Sequence, residues 1–351
     1  MEISIALVFA LVLILCAEFV NGWTDAPNAI ATVISTRTLS PKVAVMSAAI
    51  FNIAGAFYGK AVAATIGKNM MRSEAIDLLA ISAAMFAIVV WSVSAWYFEI
   101  PTSESHALVA GLSGAALAVA GPSVIYWDGG MQTLSCVALP VVFKCQAGWG
   151  KALQGLLWGA MGGMAAAWVL SKIIMALFGN SPRAPAQKAL RSAQIFSSML
   201  MAFSHGSNDG QKFMGAFALA LLLGGAIHSF EVPFWVIILC AVVMGLGTSV
   251  GGMRIIKTMG FKMVRLETYQ GFSAEAAAAA TILTASSPAL GIPLSTTHTI
   301  NMAIVGTGLA KGRKSVDWKT VLRVVAAWIL TFPACGLLAY VFAKIFYVLA
   351  R

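Results

Sequence analysis

The sequence predicts an all-α polytopic membrane protein, built from two inverted-topology repeats with broken helices and re-entrant hairpins. Three observations predict it. The chain of 351 residues is 60% hydrophobic and only 10% charged, whereas a soluble domain carries roughly a quarter charged residues. Apolar stretches of about 20 residues, the length of a bilayer-spanning helix, recur from end to end. One pair of polar motifs occurs twice: Gly22-x-x-Asp25 with Pro101-x-Ser103-x-x-His106, then Gly206-x-x-Asp209 with Pro293-x-Ser295-x-x-His298. Polar groups are costly in hydrocarbon, so a duplicated set of them points to a transport pathway at a repeat interface.

Ten apolar segments follow in order: 3–36, 43–64, 79–98, 102–121, 152–178, 192–223, 232–252, 268–288, 293–310 and 320–350. The first follows Glu2 with no basic stretch and no cleavage site, so it reads as a membrane span rather than a signal peptide. The first, sixth and tenth exceed one straight crossing. Breaks are expected in the first and sixth at their Gly-x-x-Asp elements, and a bend in the tenth at Pro333. Segments three and four, and eight and nine, read as re-entrant hairpins that carry the Ser/Thr-His elements to mid-depth, with two full crossings each as the alternative. Stretch 122–151, with Pro122, Trp127 and Asp128, is too polar and broken for a crossing. Segments 1–5 match 6–10 in order. The repeats are therefore 1–178 and 192–351, joined by a cytoplasmic linker at 179–191.

Loop charges give the orientation. With loop 37–42 in the cytoplasm, that side holds Arg37, Lys42, Lys172, Arg183, Lys188, Arg191, Arg254, Lys257, Lys262, Arg265, Lys311, Arg313, Lys314 and Lys319. The other side holds Lys68, Arg72, Lys144, Lys151 and Arg351. The bias obeys the positive-inside rule and places both termini outside the cytoplasmic membrane. It also accounts for the net charge of +10 without a nucleic-acid partner. Five cysteines show no metal-type spacing. They are expected as free thiols, with Cys136 and Cys145 able to pair only on an oxidising side.

Asp25, Pro27 and Asn28 read as a helix start, whose free N–H groups and positive dipole end suit an anion. Asp209, with Asn208 beside it, is the equivalent in the second half. Ser103, Ser105, Ser295, Thr296 and Thr297 supply uncharged donors to an anion. His106, His205 and His298 are placed as supporting hydrogen-bond partners. Glu18 and Glu275, lone carboxylates in apolar helices, are candidates for cation coupling alongside Asp25, Asp209 and Glu104. No HExxH and no i,i+4 histidine pair marks a resident metal. An intramembrane hydrolase would need a nucleophile–base pair or such a motif, so no enzyme activity and no cofactor are expected.

These motifs resemble the inorganic phosphate transporter (PiT) family. Gly22-Trp23-Thr24-Asp25-Ala26-Pro27-Asn28-Ala29 is similar to the family's first signature, and Phe203 to Lys212 to its second in the bacterial form. Ile292-Pro293-Leu294-Ser295-Thr296-Thr297-His298 is similar to its P-x-S-T-T-H element. The resemblance implies inverted repeats, a homodimer in the lipid bilayer, and symport of inorganic phosphate with protons or sodium ions. A sulfate permease of the same fold is the alternative. Two positions depart from the family pattern. Lys212 aligns with Asn28, where many members repeat Asn, and a fixed ammonium there favours protons. Glu104 replaces a small hydroxyl residue, and is expected to pair with Lys212 in a proton-sensitive manner. A sodium ion, where sodium is the partner, is expected at Asp25, Asn28 and Asp209. The reading is a secondary active transporter importing phosphate by alternating access, with Asn28, Asn208 and Lys212 on the anion beside the hydroxyls.

Overall fold

The computed structural model describes residues 4–72, 76–125, 137–139, 142–144, 148–179 and 182–350. It is almost entirely helical. The first half comprises α1 (Ile5–Ser35), α2 (Pro41–Ala56), α3 (Ala61–Asn69), α4 (Leu78–Tyr97), α5 (Glu104–Ala120) and α6 (Gly148–Phe178). The second comprises α7 (Arg183–His205), a π-helical turn (Gly206–Gly210), α8 (Gln211–Leu223), α9 (Phe234–Val250), α10 (Met253–Lys257) leading into a second π turn (Thr258–Lys262), α11 (Thr268–Ser286), α12 (Thr296–Lys311) and α13 (Trp318–Leu349). Two three-residue strands, β1 (Val137–Leu139) and β2 (Val142–Lys144), pair antiparallel. The rest of stretch 126–147, with Cys136 and Cys145, lies outside the described residues.

Local chemistry sets the helix ends. The Ser4 hydroxyl accepts from the Leu7 amide at the start of α1, and Asp77 accepts from the Ala80 amide at the start of α4. Pro41 opens α2, where its missing N–H is no loss. Glu267 and Gln270 form a reciprocal capping box on α11. Among the described residues, α1, α4, α6 and α13 are each long and apolar enough to cross a membrane. The pairs α2–α3, bent by 74°, and α9–α10 with its π turn, bent by 58°, bring the number to six if each pair is one span.

Several expectations change. The helix α1 is continuous through Asp25 and Pro27, so Asp25 is not a helix start. The second Gly-x-x-Asp element is accommodated by the π turn, whose extra residue widens the helix without ending it. Neighbouring helices enclose both places, and enclosure lets a helix tolerate a missing or displaced backbone bond there. Helix α13 carries Pro333, where a bend was expected, inside one continuous element. Most of the expected linker at 179–191 is the first turns of α7, which begins at Arg183. In the expected hairpins, α4 is itself a spanning length. The non-helical backbone is confined to residues 98–103 and 287–295, which lead into the starts of α5 and α12.

Packing repeats between the halves. Helix α5 lies along α13 as α12 lies along α6, and α1 lies on α9 as α2 lies on α7 and its π turn. Glycines make the last two crossings close. A Cβ on Gly22 would fall 2.2 Å from the Met244 carbonyl oxygen and one on Gly247 2.1 Å from that of Phe19. The counterparts are Gly206, 2.1 Å from the Asn52 oxygen, and Gly55, 2.0 Å from that of Phe203. Replacing Gly247 by Val forces these backbones apart, with an expected destabilisation of about 3 kcal/mol. Thermal melting of the purified protein checks this; an unchanged melting temperature contradicts the close crossing.

Candidate functional site

Two carboxylates occupy the centre. Asp25 on α1 and Asp209 in the π turn are 3% and 1% exposed. Between them stands His205, whose Nε2 lies 3.8 Å from an oxygen of each. The far side of this ring is anchored. Asn52 on α2 donates its amide to the Thr248 hydroxyl at 2.9 Å, which leaves the Asn52 oxygen facing His205 Nδ1 at 3.1 Å. Nδ1 is therefore the donor, and Nε2 is directed at the two carboxylates with no hydrogen-bond partner of its own. A proton on Nε2, or a small cation among the three groups, satisfies all three at once. Their ligand atoms lie within 4.8 Å of one another.

Lys212, one helical turn after Asp209, is 1% exposed. Its ammonium donates to Asp209 Oδ1 at 2.7 Å, to the Leu294 carbonyl at 2.7 Å and to the Ser105 hydroxyl at 2.5 Å. Three donors meet three acceptors, which a buried ammonium requires.

The starts of α5 and α12 complete the site. Ser103 and Ser295 cap them, accepting from the amides of His106 and His298. The two cap hydroxyls are 2.8 Å apart, so the two return limbs meet tip to tip. The free helix N-termini expected at Asp25 are thus supplied by α5 and α12. The Thr297 hydroxyl donates to Asp25 at 3.2 Å, and that of Thr296 to Asp209 at 3.2 Å. The Asn28 amide donates to Thr297 at 3.0 Å. The arrangement offers hydroxyls, amides, one ammonium and two helix N-termini to an oxyanion, with two carboxylates for a cation.

Several expected residues do otherwise. Glu104 does not reach Lys212. It accepts from Thr24 at 2.8 Å and Ser92 at 2.7 Å, while Lys212 is held by Asp209, which is a turn away on its own helix. His205, expected as a supporting hydrogen-bond partner, stands between the two carboxylates. It stands where Asn28 was expected in the cation set, because the Asn28 amide is turned toward Thr296 and Thr297. Asn208 donates to the Ser286 hydroxyl and the Ile292 carbonyl, bracing the second return limb. His106 and His298 pack ring against ring, 4.3 Å between centroids, with His298 stacked on Trp328 and His106 on Phe332. Glu275 accepts from Thr32 and from Ser197, tying α11 to α1 and α7. Glu18 accepts from Asn21 at 3.4 Å. Sequence reasoning missed Thr24, Asn52, Ser92 and Trp328. An uncharged amide in an apolar helix is the signal that Asn52 carries.

Residues 21–339 match the Phosphate transporter family. A "Probable low-affinity inorganic phosphate transporter" of Rhizobium meliloti (strain 1021) is 40% identical, over 92% of this chain and 91% of that protein. A protein of the same description from Bacillus subtilis (strain 168) is 34% identical, over 96% and 98%. Among solved structures, "The sodium-dependent phosphate transporter" aligns with a TM-score of 0.77 over 99% of both chains at 22% identity, a likeness of fold.

Replacing Asn52 by Leu leaves His205 Nδ1 unpaired, at about 1–3 kcal/mol for a buried unpaired group, while the Thr248 hydroxyl keeps its bond to the Met244 carbonyl. Solute uptake should fall by roughly tenfold, the equivalent of about 1.4 kcal/mol, with membrane abundance retained. Normal uptake in this variant would show that His205 needs no anchor.

Proposed function

The chain belongs to the phosphate transporter family, and we propose that it imports inorganic phosphate together with protons by alternating access. One observation carries the proposal: two buried carboxylates share His205, while the ammonium of Lys212 already occupies one of them. Phosphate is received by Lys212, Ser105, Thr296, Thr297 and Asn28, together with the N-termini of α5 and α12 that Ser103 and Ser295 cap. Asp25, His205 and the second oxygen of Asp209 take the mobile cation. The names of the relatives, low-affinity inorganic phosphate transporters, support the substrate.

Energetics requires the cation. Each net negative charge moved inward against an interior-negative potential costs about 2.3 kcal/mol per 100 mV. Monovalent phosphate needs one cation for neutrality and two for the potential to help. Lys212 cannot leave, so it lowers the cost of holding the anion without contributing to the charge moved. It also competes with a metal cation for Asp209. Imidazole with a free ring nitrogen is a better receiver for a proton than for a hard cation such as sodium.

The reciprocal glycine crossings and the matched packing support two repeats of opposite orientation, related by an axis in the membrane plane. Basic loops then face the cytoplasm and both termini the outside of the inner membrane. The return limbs of α4–α5 and α11–α12 close the site where Ser103 meets Ser295, and their parting on either side gives alternating access. A homodimer is expected from the family resemblance.

Uptake by the purified protein in liposomes, under separately imposed proton and sodium gradients, tests this. Accumulation should follow the proton gradient. Asp25→Asn or Asp209→Asn, moving one cation fewer, should lose about 2.3 kcal/mol per 100 mV, roughly fiftyfold in accumulation. Lys212→Asn should bind phosphate more weakly and gain stimulation by sodium. Accumulation driven by sodium alone in the native protein would contradict proton coupling, and sulfate uptake in preference to phosphate would contradict the substrate.

A further inference from the structure

Beside the first return limb lies a trough of about 460 Å³ between residues 98–101, the π turn after α10 and the beginning of α13. Its floor is apolar, with Ile100, Val324, Ala327 and Leu330. Its rim carries two cations, Lys262 and Arg323. From Thr320 to Leu330 the trough follows α13 for ten residues, about 15 Å, or half of a bilayer's hydrocarbon thickness. Leu330 and Phe98 are 55% and 68% exposed, so the trough opens sideways, toward lipid rather than toward the polar site.

A comparable trough of about 440 Å³ lies beside the other return limb, between Leu290, Ile292 and Leu294, α6 and α11. It holds no charged residue. The two places match in size and in position against a return limb, and differ in their cations. Side chains facing only acyl tails have no use for Lys262 and Arg323. One acidic group lines the trough: the Glu99 carboxylate is 3.5 Å from Lys262 Nζ, and both are about half exposed. Such an exposed, long pair is weak and leaves the ammonium available. Asp317 acts on Arg323, its carboxylate held by the Lys319 amide and the Thr320 hydroxyl. Arg254, stacked on Trp96 and Tyr97 and donating to the Tyr97 carbonyl next to Phe98, leaves three cations against two carboxylates here.

We propose that this trough is a binding site for an anionic phospholipid, its phosphate between Lys262 and Arg323 and one acyl chain along Val324, Ala327 and Leu330. The side of the membrane rests on the orientation proposed above, which puts this rim in the cytoplasmic leaflet among the basic loops; the site itself does not. Basic pockets between membrane helices at that level hold anionic headgroups. The occupant touches the return limb that leads within a few residues to Ser103 and Glu104. Glu99, in the left-handed region at φ 59°, is the residue at which that limb turns, and its carbonyl accepts from Thr258. A bound headgroup draws Lys262 from Glu99 and so acts on the limb that must move.

Native mass spectrometry of the full-length protein, equilibrated with equal phosphatidylglycerol and phosphatidylcholine, reads lipid retention without reference to transport. The native protein should prefer phosphatidylglycerol by about fivefold, as expected for a net surplus of about one cation. The preference should fall to near parity in Lys262→Gln/Arg323→Gln, and persist in Lys188→Gln/Lys314→Gln, which removes the same charge elsewhere. Parity in the native protein overturns the proposal whatever the variants do, as does an undiminished preference in Lys262→Gln/Arg323→Gln. Displacement of the lipid by millimolar inorganic phosphate also overturns it, since the rim would then be a site for the free anion.

Discussion

Two carboxylates and one ammonium buried inside a membrane protein set the conditions for everything around them. Leaving any of the three unpaired costs several kcal/mol, because the interior cannot hydrate it. Lys212 therefore has three acceptors, one of them the Leu294 carbonyl, which is exposed for bonding only because residues 291–295 are not helical. Asp25 and Asp209 have threonine donors at the first turn of α12. The irregular limbs exist to bring such donors to the carboxylates, and the enclosing helices exist to keep lipid from the irregular limbs.

Close packing fixes the charges in register. The α1–α9 crossing at Gly22 and Gly247 sets the depth of Asp25, three residues on from Gly22. Its counterpart at Gly55 and Gly206 does the same for Asp209, and brings Asn52 against His205. The same contact that orients the imidazole is thus a product of the helix crossing. The matched motifs of the two halves carry unlike side chains: at the motif position matching the small amide Asn28 stands a fixed cation, Lys212, and at the one matching Thr296 stands Glu104. In the proposed mechanism this asymmetry leaves Asp25, His205 and one oxygen of Asp209 for the exchangeable cation.

Much of this was legible in the sequence. Apolar runs located every long helix, because bilayer thickness and hydropathy leave little choice of span. The duplicated motifs singled out Asp25, Asp209, Lys212 and the hydroxyls, and the fold brings these side chains together. What failed was local geometry. Gly, Asp and Pro within eight residues suggested a helix start at Asp25, but a helix enclosed by others continues through proline. The Glu104–Lys212 contact is not made, because charge alone does not tell which partner is near: Asp209 is one turn from Lys212, while Thr24 and Ser92 donate to Glu104. Asn52 carried no motif, and its role follows from a helix crossing that no spacing rule describes.

The central claim is that the contact between Ser103 and Ser295 closes the site and must open for transport. Its most direct test is a Ser103→Cys/Ser295→Cys variant, with Cys16, Cys136, Cys145, Cys240 and Cys335 replaced. Bridging the pair by oxidation or with mercuric ion should stop phosphate exchange across liposomes, and reduction should restore it. Exchange that continues at the native rate with the two tips covalently joined would contradict the account.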